Sequence, residues 1–483
     1  MRDLENAAFA MGHTPEALML QAGERMAQAI LRYYPRHTHA TAYLGKGHNA
    51  GDALVVAKHL QQAGWIIRLR CPYEKKGLSP LSRKMFEALS GVELDSSTPP
   101  SGSLLIDGML GIGASGPLRT PLAELALEMN HARDSLDCTL VALDTPSGVN
   151  GNSGEIYPGA VKADHTLCVG HPKSGLLQSC CNHYVGALTQ IPLDALKDHS
   201  PESYQTSAQL ITPHTLRRKR RDFDTHKGQA GRIGIWAGST GMLGAAVLTA
   251  IAVLKSGAGL ITLFVQPELY SIIAPMLPPE IMVQPSLSPV TMLEQDFDAI
   301  VLGPGIGTPD SNLANQLLEV AESSSVPVVL DADMLNLIAR EEKLSILHSK
   351  CILTPHPGEM QRLFPSSESR EKIALNFCDN YPVTLLFKGA RTIITDPNKV
   401  LYVNSTGTPA MATAGQGDVL SGLIGGLCAQ GYTPLAATKM AAWLAGEAAQ
   451  LALASQSETE ETLSASSVID FLPQAFLAVA RQA

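Results

Sequence analysis

Apolar and polar positions along this chain follow two rhythms that alternate. Across residues 14–31, Leu18, Ala22, Met26, Ala29 and Ile30 recur at helical spacing, the buried stripe of an amphipathic helix. Ala42-Tyr43-Leu44 reads as a strand, followed by a glycine loop and a helical stretch over 54–63. Residues 66–69, 103–106 and 139–143 are further apolar runs, and the last two pass straight into polar loops. Strand, loop, helix and strand at this rhythm predict a parallel sheet with ligands at its strand ends. Around residues 194–221 the pattern lapses into a polar, proline-containing connector. It carries Arg217-Arg218-Lys219-Arg220-Arg221, which reads as a solvated linker or helix end, with phosphate steering the lesser option. A second alternating series then runs through 233–236, 260–265, 299–302, 327–330 and 385–387, each closed by a glycine- or proline-rich turn.

Composition narrows this picture by exclusion. A chain of 483 residues suggests two or three domains at roughly 150 residues each. Hydrophobic residues make up 45% and charged residues 17%, enough for large cores and too apolar for wholesale disorder. The formal net charge of -9 argues against general nucleic-acid binding, which needs a basic field. Eight cysteines are sparse, and the adjacent Cys180 and Cys181 suit neither a spaced zinc site nor a disulfide framework. A reducing, cytoplasmic compartment is expected. Residues 1–10 show no long apolar core, so no secretory signal is visible. The apolar stretch 245–253 is too short to span a bilayer. No nucleic-acid or membrane partner is expected.

The strongest chemical signal is Ala414-Gly415-Gln416-Gly417-Asp418, leading into the apolar helical run 423–429. Glycines before a helix expose N–H groups that favour an anion. A carboxylate there would repel phosphate unless it has a task, such as taking the proton from a hydroxyl that attacks a phosphoryl group. The competing reading of Asp418 is an N-cap.

The neighbouring motifs decide between them. Residues 227–232 (KGQAGR), 237–246 (AGSTGMLGAA), 303–307 (GPGIG), 330–336 (LDADMLN), 353–359 (LTPHPGE) and 387–390 (FKGA), with the glycine turn, resemble the NAD(P)H-hydrate dehydratases of the ribokinase-like superfamily. That resemblance implies a catalytic Asp418 with Gly417 on the nucleotide. It implies hydrate contacts from Ala245, Gly305, His356 and Asp418, and nucleotide contacts from Lys388, Gly389, Ala390, Arg391 and Thr392. Asp331 and Asp333 stay open between capping a helix near Met334 and a metal or water-network role.

In the first half, residues 45–52 (GKGHNAGD) lie between a strand and a helix but form neither a Walker A loop nor a clean GxGxxG. Alone they read as a tight glycine turn with an Asp cap. Residues 106–113 (IDGMLGIG) and 144–149 (DTPSGV) follow two further strands, and three strand-end loops can surround one polar ligand. With 158–164 (PGAVKAD), the set resembles NAD(P)H-hydrate epimerases. The resemblance implies potassium held by Asn49, Asp107 and Ser147, all oxygen ligands that suit a hard cation. It carries substrate contact to His48, Asn49, Ala50, Gly51, Asp52, Gly111, Ile112, Gly113, Ala114, Ser115, Gly116, Pro117 and Asp144, with Asp144 the group for proton transfer. The usual NNGGDG loop is altered here: Ala50 and Ala53 replace glycines.

The expectation is therefore an α/β fusion. A Rossmann-like three-layer epimerase domain, 1–200, precedes a ribokinase-like dehydratase domain, 208–483. Substrates would be the hydrates of NADH and NADPH with ADP or ATP; Mg2+ would accompany the nucleotide, and the chain would be a homo-oligomer. Two alternatives remain: a small-molecule kinase on the same superfamily fold, and a catalytically silent N-terminal binding module.

Overall fold

In the computed structural model, which describes residues 2–92, 94–196 and 208–480, the chain divides into two units, Met1–Gln205 and Thr206–Ala483. The first unit is built on β1 (His39–Leu44), β2 (Ile66–Arg70), β3 (Leu104–Gly108), β4 (Thr139–Leu143), β5 (His165–Val169) and β6 (Ala187–Ile191). All pair in parallel, in the order β2-β1-β3-β4-β5-β6. Side chains alternate across the sheet: Ala40, Ala42 and Leu44 of β1 enter one core, and Tyr43 the other. Helices Pro15–Tyr33 and His48–Gln62 supply the first core, and helix Leu122–Ser135 the second. Both sheet faces are thus covered, as a parallel sheet requires, giving three layers. Thr14 caps its helix by accepting from Ala17 N–H, with Pro15 in the first turn.

The second unit contains β7 (Ala208–Ile211), β8 (Arg232–Trp236), β9 (Leu260–Val265), β10 (Ile281–Pro285), β11 (Ala299–Leu302), β12 (Val328–Leu330), β13 (Cys351–Leu353), β14 (Thr384–Phe387), β15 (Ile393–Thr395) and β16 (Leu401–Asn404). They form one sheet in the order β10-β9-β8-β11-β12-β13-β14-β15-β16-β7. Two pairings, β14–β15 and β15–β16, are antiparallel. On β11, Ala299 and Val301 face one core while Ile300 and Leu302 face the other. Helices Leu243–Ser256, Gln416–Ala429, Pro434–Ala454 and Ala465–Ala480 cover the first face, and Ser311–Ser323, Asp333–Arg340 and Arg370–Asn380 the second. Helix Gln416–Ala429 lies tight on its neighbours because Gly422 and Gly425 carry no side chain. A Cβ there would come within 2.4 Å of Thr249 O and of Val301 Cγ2 respectively.

Each sheet reverses its winding once, between β1 and β3 and between β8 and β11. Crevices open outside the carboxyl ends of strands at such points. Two local expectations change. The helix expected over 54–63 begins at His48, so residues 48–52 form its first turns rather than a loop. The basic run is not simply solvated. Lys219 Nζ bonds Gly431 O, and an Arg221 guanidinium nitrogen bonds Gly257 O, placing cations at the carboxyl ends of helices Gln416–Ala429 and Leu243–Ser256. Among the described residues no helix is long and apolar enough to cross a membrane.

Candidate active sites

In the second unit the glycine turn is set by Gly415, whose φ of +90° suits glycine. Gly415 is the N-cap of helix Gln416–Ala429, so Asp418 lies inside the first turn and is not the cap. Around it, strand ends deliver charge. Asp331, just after β12, is 1% exposed and accepts from Lys388 Nζ at 2.8 Å and Ser421 Oγ at 2.7 Å. Lys388 leaves β14 with its ammonium against the turn: a Cβ on Gly417 would stand 3.5 Å from Nζ. Glu359 Oε2 is 3.7 Å from the same ammonium and accepts from His356 N–H at 2.7 Å. His356 Nδ1 accepts from the N–H groups of Gly358 and Glu359 at 3.0 and 3.3 Å. The ring proton therefore sits on Nε2, 3.3 Å from Glu359 Oε1, and the ring stays half-exposed.

Asp331 and Glu359 thus share one part-buried cation, with Asp418 in its field. Burial pushes the Asp418 carboxyl up, repulsion from Asp331 adds, and Lys388 opposes, leaving it at about 6. Burial alone would pull Lys388 down, but Asp331 and Glu359 outweigh it and hold the ammonium above its usual value. A base near neutrality beside a lysine and a glycine turn can deprotonate a hydroxyl while N–H groups hold an anion.

Asp331 and Asp333 do not cap the helix that follows. Its N-cap is Ala332, at a φ of +50° and without a side-chain cap bond, while Asp333 Oδ2 accepts from Gly307 N–H at 2.8 Å. Gly305, φ +62°, lies against Ala245: an added Cβ would meet the Ala245 methyl at 2.8 Å. The Lys388–Thr392 turn holds Gly389 at φ +145° and Arg391 at +51°, and Thr392 Oγ1 donates to Gly389 O at 3.3 Å. Sequence reasoning missed Arg370, which donates to the carbonyls of Phe387, Lys388 and Ala390 at 3.1 to 3.2 Å. Arg370 and Ser421 carried no local signal, because their partners are remote in sequence, whereas Glu359 pairs with His356 three positions away and also reaches the remote Lys388.

In the first unit three loops converge on Leu110. Asn49 Nδ2 donates to Leu110 O at 2.8 Å and Leu143 O at 3.2 Å. Ser147 Oγ accepts from Leu110 N–H at 3.1 Å and donates to Asp107 Oδ1 at 2.8 Å. Asp107, wholly buried, also accepts from Met109 N–H at 3.1 Å and Ser147 N–H at 2.7 Å. Burial wins over these bonds and lifts it to about 6. Asn49 Oδ1 is buried without a hydrogen-bond partner among the described residues, and a buried orphan oxygen calls for an explanation.

Asp144 follows β4 at a φ of +66°. Its Oδ2 accepts from Ile112 N–H at 3.3 Å, within the expected Gly111–Pro117 contact loop. Oδ1 accepts from Val169 N–H at 3.3 Å and from Lys173 Nζ. Lys173 is a second residue the sequence concealed. His48 stands exposed at the helix start. Burial, with repulsion from Asp144, pushes Asp52 well above the carboxylate range. Ala50 and Ala53 are each 0% exposed and belong to the apolar core, and the Ala53 methyl packs against Gly108 at the end of β3, where an added Cβ would meet it at 2.4 Å.

These features define an α/β enzyme with one strand-end cluster of functional groups in each unit. The NAD(P)H-hydrate dehydratase family matches residues 233–473, and the family described as YjeF-related protein N-terminus matches 15–175. A bifunctional NAD(P)H-hydrate repair enzyme of Gloeobacter violaceus is 34% identical over 92% of this chain and 90% of its own length. Its Escherichia coli counterpart is 32% identical over 90% of this chain and 84% of its own. Among solved structures, the ADP/ATP-dependent NAD(P)H-hydrate dehydratase of Bacillus subtilis, co-crystallised with ATP and Mg2+, is 28% identical. It covers 55% of this chain and 96% of its own, at a TM-score of 0.47. The chain belongs to the bifunctional NAD(P)H-hydrate repair enzymes. It restores hydrated nicotinamide cofactors, joining a dehydratase, a lyase, to an epimerase, an isomerase.

Proposed function

We propose that residues 208–483 dehydrate the S-hydrates of NADH and NADPH at the expense of ADP or ATP, with Asp418 as base, and that residues 1–200 interconvert the R and S epimers. Asp418 takes the proton of the hydrate's hydroxyl, whose oxygen attacks the terminal phosphorus and displaces AMP or ADP. Phosphate and a ring proton then leave, restoring the double bond. The observation that carries this reading is the placement of Lys388 against Gly417, beside a carboxyl that titrates at about 6. Gly417 and the Lys388–Thr392 turn hold the nucleotide. Ala245, Gly305 and His356 line the hydrate. Mg2+ travels with the nucleotide, because Asp331, Glu359 and Asp418 against a single lysine leave an excess of negative charge where a polyphosphate must sit.

In the first unit, Asn49, Asp107 and Ser147 fit a potassium ion. The Asn49 oxygen faces inward without a donor, and three hydrogen bonds on Asp107 leave it about one further acceptor position. The ion would hold the three loops in register. Asp144 handles the proton at the hydroxyl-bearing carbon, with residues 48–52 and 111–117 around the substrate. The protein works as a homo-oligomer in the cytoplasm, a setting favoured by its sparse cysteines. The test is to incubate the intact chain with mixed hydrate epimers and ADP and follow dihydronicotinamide absorbance. Its return with release of inorganic phosphate is expected. A stable phosphorylated product without that return would make the second unit a kinase. Failure to convert R into S would make the first unit a binding module.

A further inference from the structure

Lys173 is the most deeply buried cation near either crevice, with a side chain 3% exposed. Its ammonium makes three contacts: the Asp144 carboxylate, Val169 O at 3.0 Å and Cys168 Sγ at 3.4 Å. A lysine so placed is a poor way to stabilise a fold, because apolar residues of similar volume usually do as well as a buried ion pair. Its location is more specific than stability requires. It grips the oxygen of Asp144 that faces inward, while the other oxygen stays on Ile112 N–H in the contact loop. Asp144 itself holds a left-handed φ of +66°, strain that persists where the surroundings over-determine it.

We propose that Lys173 is a positioning residue of the epimerase: it fixes the orientation of the Asp144 carboxyl toward the contact loop, so that Asp144 is held in place to handle the proton. This rests on the assignment of Asp144 made above. The charged and titratable groups facing Asp144 are Lys173 and Cys168 from β5 and the loop after it, and Asp52 from helix His48–Gln62. The loops Gly108–Gly113 and Thr145–Gly148 bring none. Asp52 is pushed well up, by burial first and by the Asp144 charge second.

The experiment measures R-to-S conversion by the intact chain in saturating potassium. Lys173→Ala should lower kcat by ~100-fold and leave KM within about threefold of the parent. Ethylammonium should restore at least ~10-fold of the loss by supplying the missing cation, and ethanol at equal concentration should restore nothing. S-epimer dehydration, a property of the second unit, serves as the internal control. A normal kcat, a loss confined to KM, or equal rescue by ethanol would overturn the proposal. Should Lys173→Ala fail to fold, Lys173→Met fills the same volume and must show the same fall in kcat; a parental kcat there overturns the proposal as well. Asp144→Asn, run in parallel, keeps the two claims apart. Retained conversion in that variant sinks the assignment of Asp144, whereas a dead Asp144→Asn beside a fully active Lys173 variant sinks only the role of Lys173. No conversion by the parent chain overturns both.

Discussion

Replacing Asp418 with asparagine should move catalysis and stability in opposite directions. In the folded chain burial, with Asp331 adding, lifts the Asp418 carboxyl from its ordinary 3.8 to about 6. Each pKa unit corresponds to about 1.4 kcal/mol, so ionised Asp418 costs the fold about 3 kcal/mol at neutral pH. Solvent screening of this part-exposed side chain reduces the figure to about 1–2 kcal/mol. The sign follows from the direction of the shift. A carboxyl whose folded value is raised stabilises the fold while protonated, and that contribution is lost as pH rises through about 6. The neutral amide of Asp418→Asn removes the penalty. The second unit should therefore melt a few degrees higher than the parent at neutral pH, and the gap should close in acid. Dehydration goes the other way, because a general base contributes ~100- to 10,000-fold. The assay supplies S-hydrate with ADP and follows dihydronicotinamide absorbance. The parent's rate should fall on the acid side of about pH 6, as Asp418 protonates. Near-parental dehydration by the variant, or a lower melting temperature, refutes the reasoning.

Three further outcomes are expected. Lys388→Met leaves Asp331 and Glu359 without their shared cation, so KM for the nucleotide should rise at least ~10-fold and denaturant titration should show the second unit weakened by about 3–5 kcal/mol; an unchanged KM counts against nucleotide contact. Epimer interconversion should be faster in potassium than in a bulky organic cation at equal ionic strength, and Asp107→Ala should erase that difference while S-epimer dehydration continues. Residues 208–483 expressed alone should be soluble and active on the S epimer; dependence on the first half for turnover would count against separate domains.

The apolar runs bounded by turns were legible, and residues 139–143, 260–265 and 299–302 became β4, β9 and β11 at those bounds. β5 was not, because His165, Thr166 and Cys168 dilute its apolar signal although all three are buried. Helix His48–Gln62 began early for a related reason. Glycine at position 51 reads as a loop breaker, yet it is needed inside the helix, where a Cβ would strike Met19 at 2.6 Å. The glycine turns and Asp418 could be recognised because their residues are contiguous. Their supports could not: Asp331 meets Lys388 57 positions away and Ser421 90 positions away. Lys173, between Pro172 and Ser174, has the local signature of a solvated loop, and only the fold buries it.

The two crevices share one device used in opposite senses. In each, a lysine and an aspartate pair at strand carboxyl ends, and the members of each pair differ in burial. In the first unit Lys173 is 3% exposed and Asp144 13%, which accords with the proposal that the lysine supports and the carboxylate acts. In the second Asp331 is 2% exposed and Lys388 20%, which accords with the proposal that the carboxylate supports and the lysine meets the nucleotide. That inversion matches the chemistry demanded of each site. Under the proposed roles, epimerisation needs an oriented carboxyl, and the contact of Asp144 with the Lys173 ammonium supplies that orientation. Phosphoryl transfer needs a cation at the anion hole and a separate base. Asp418 is the proposed base: Lys388 makes its contacts with Asp331 and Glu359, and burial with repulsion from Asp331 outweighs the pull of Lys388 and lifts the Asp418 carboxyl to about 6, where a carboxyl can take a proton and release it again.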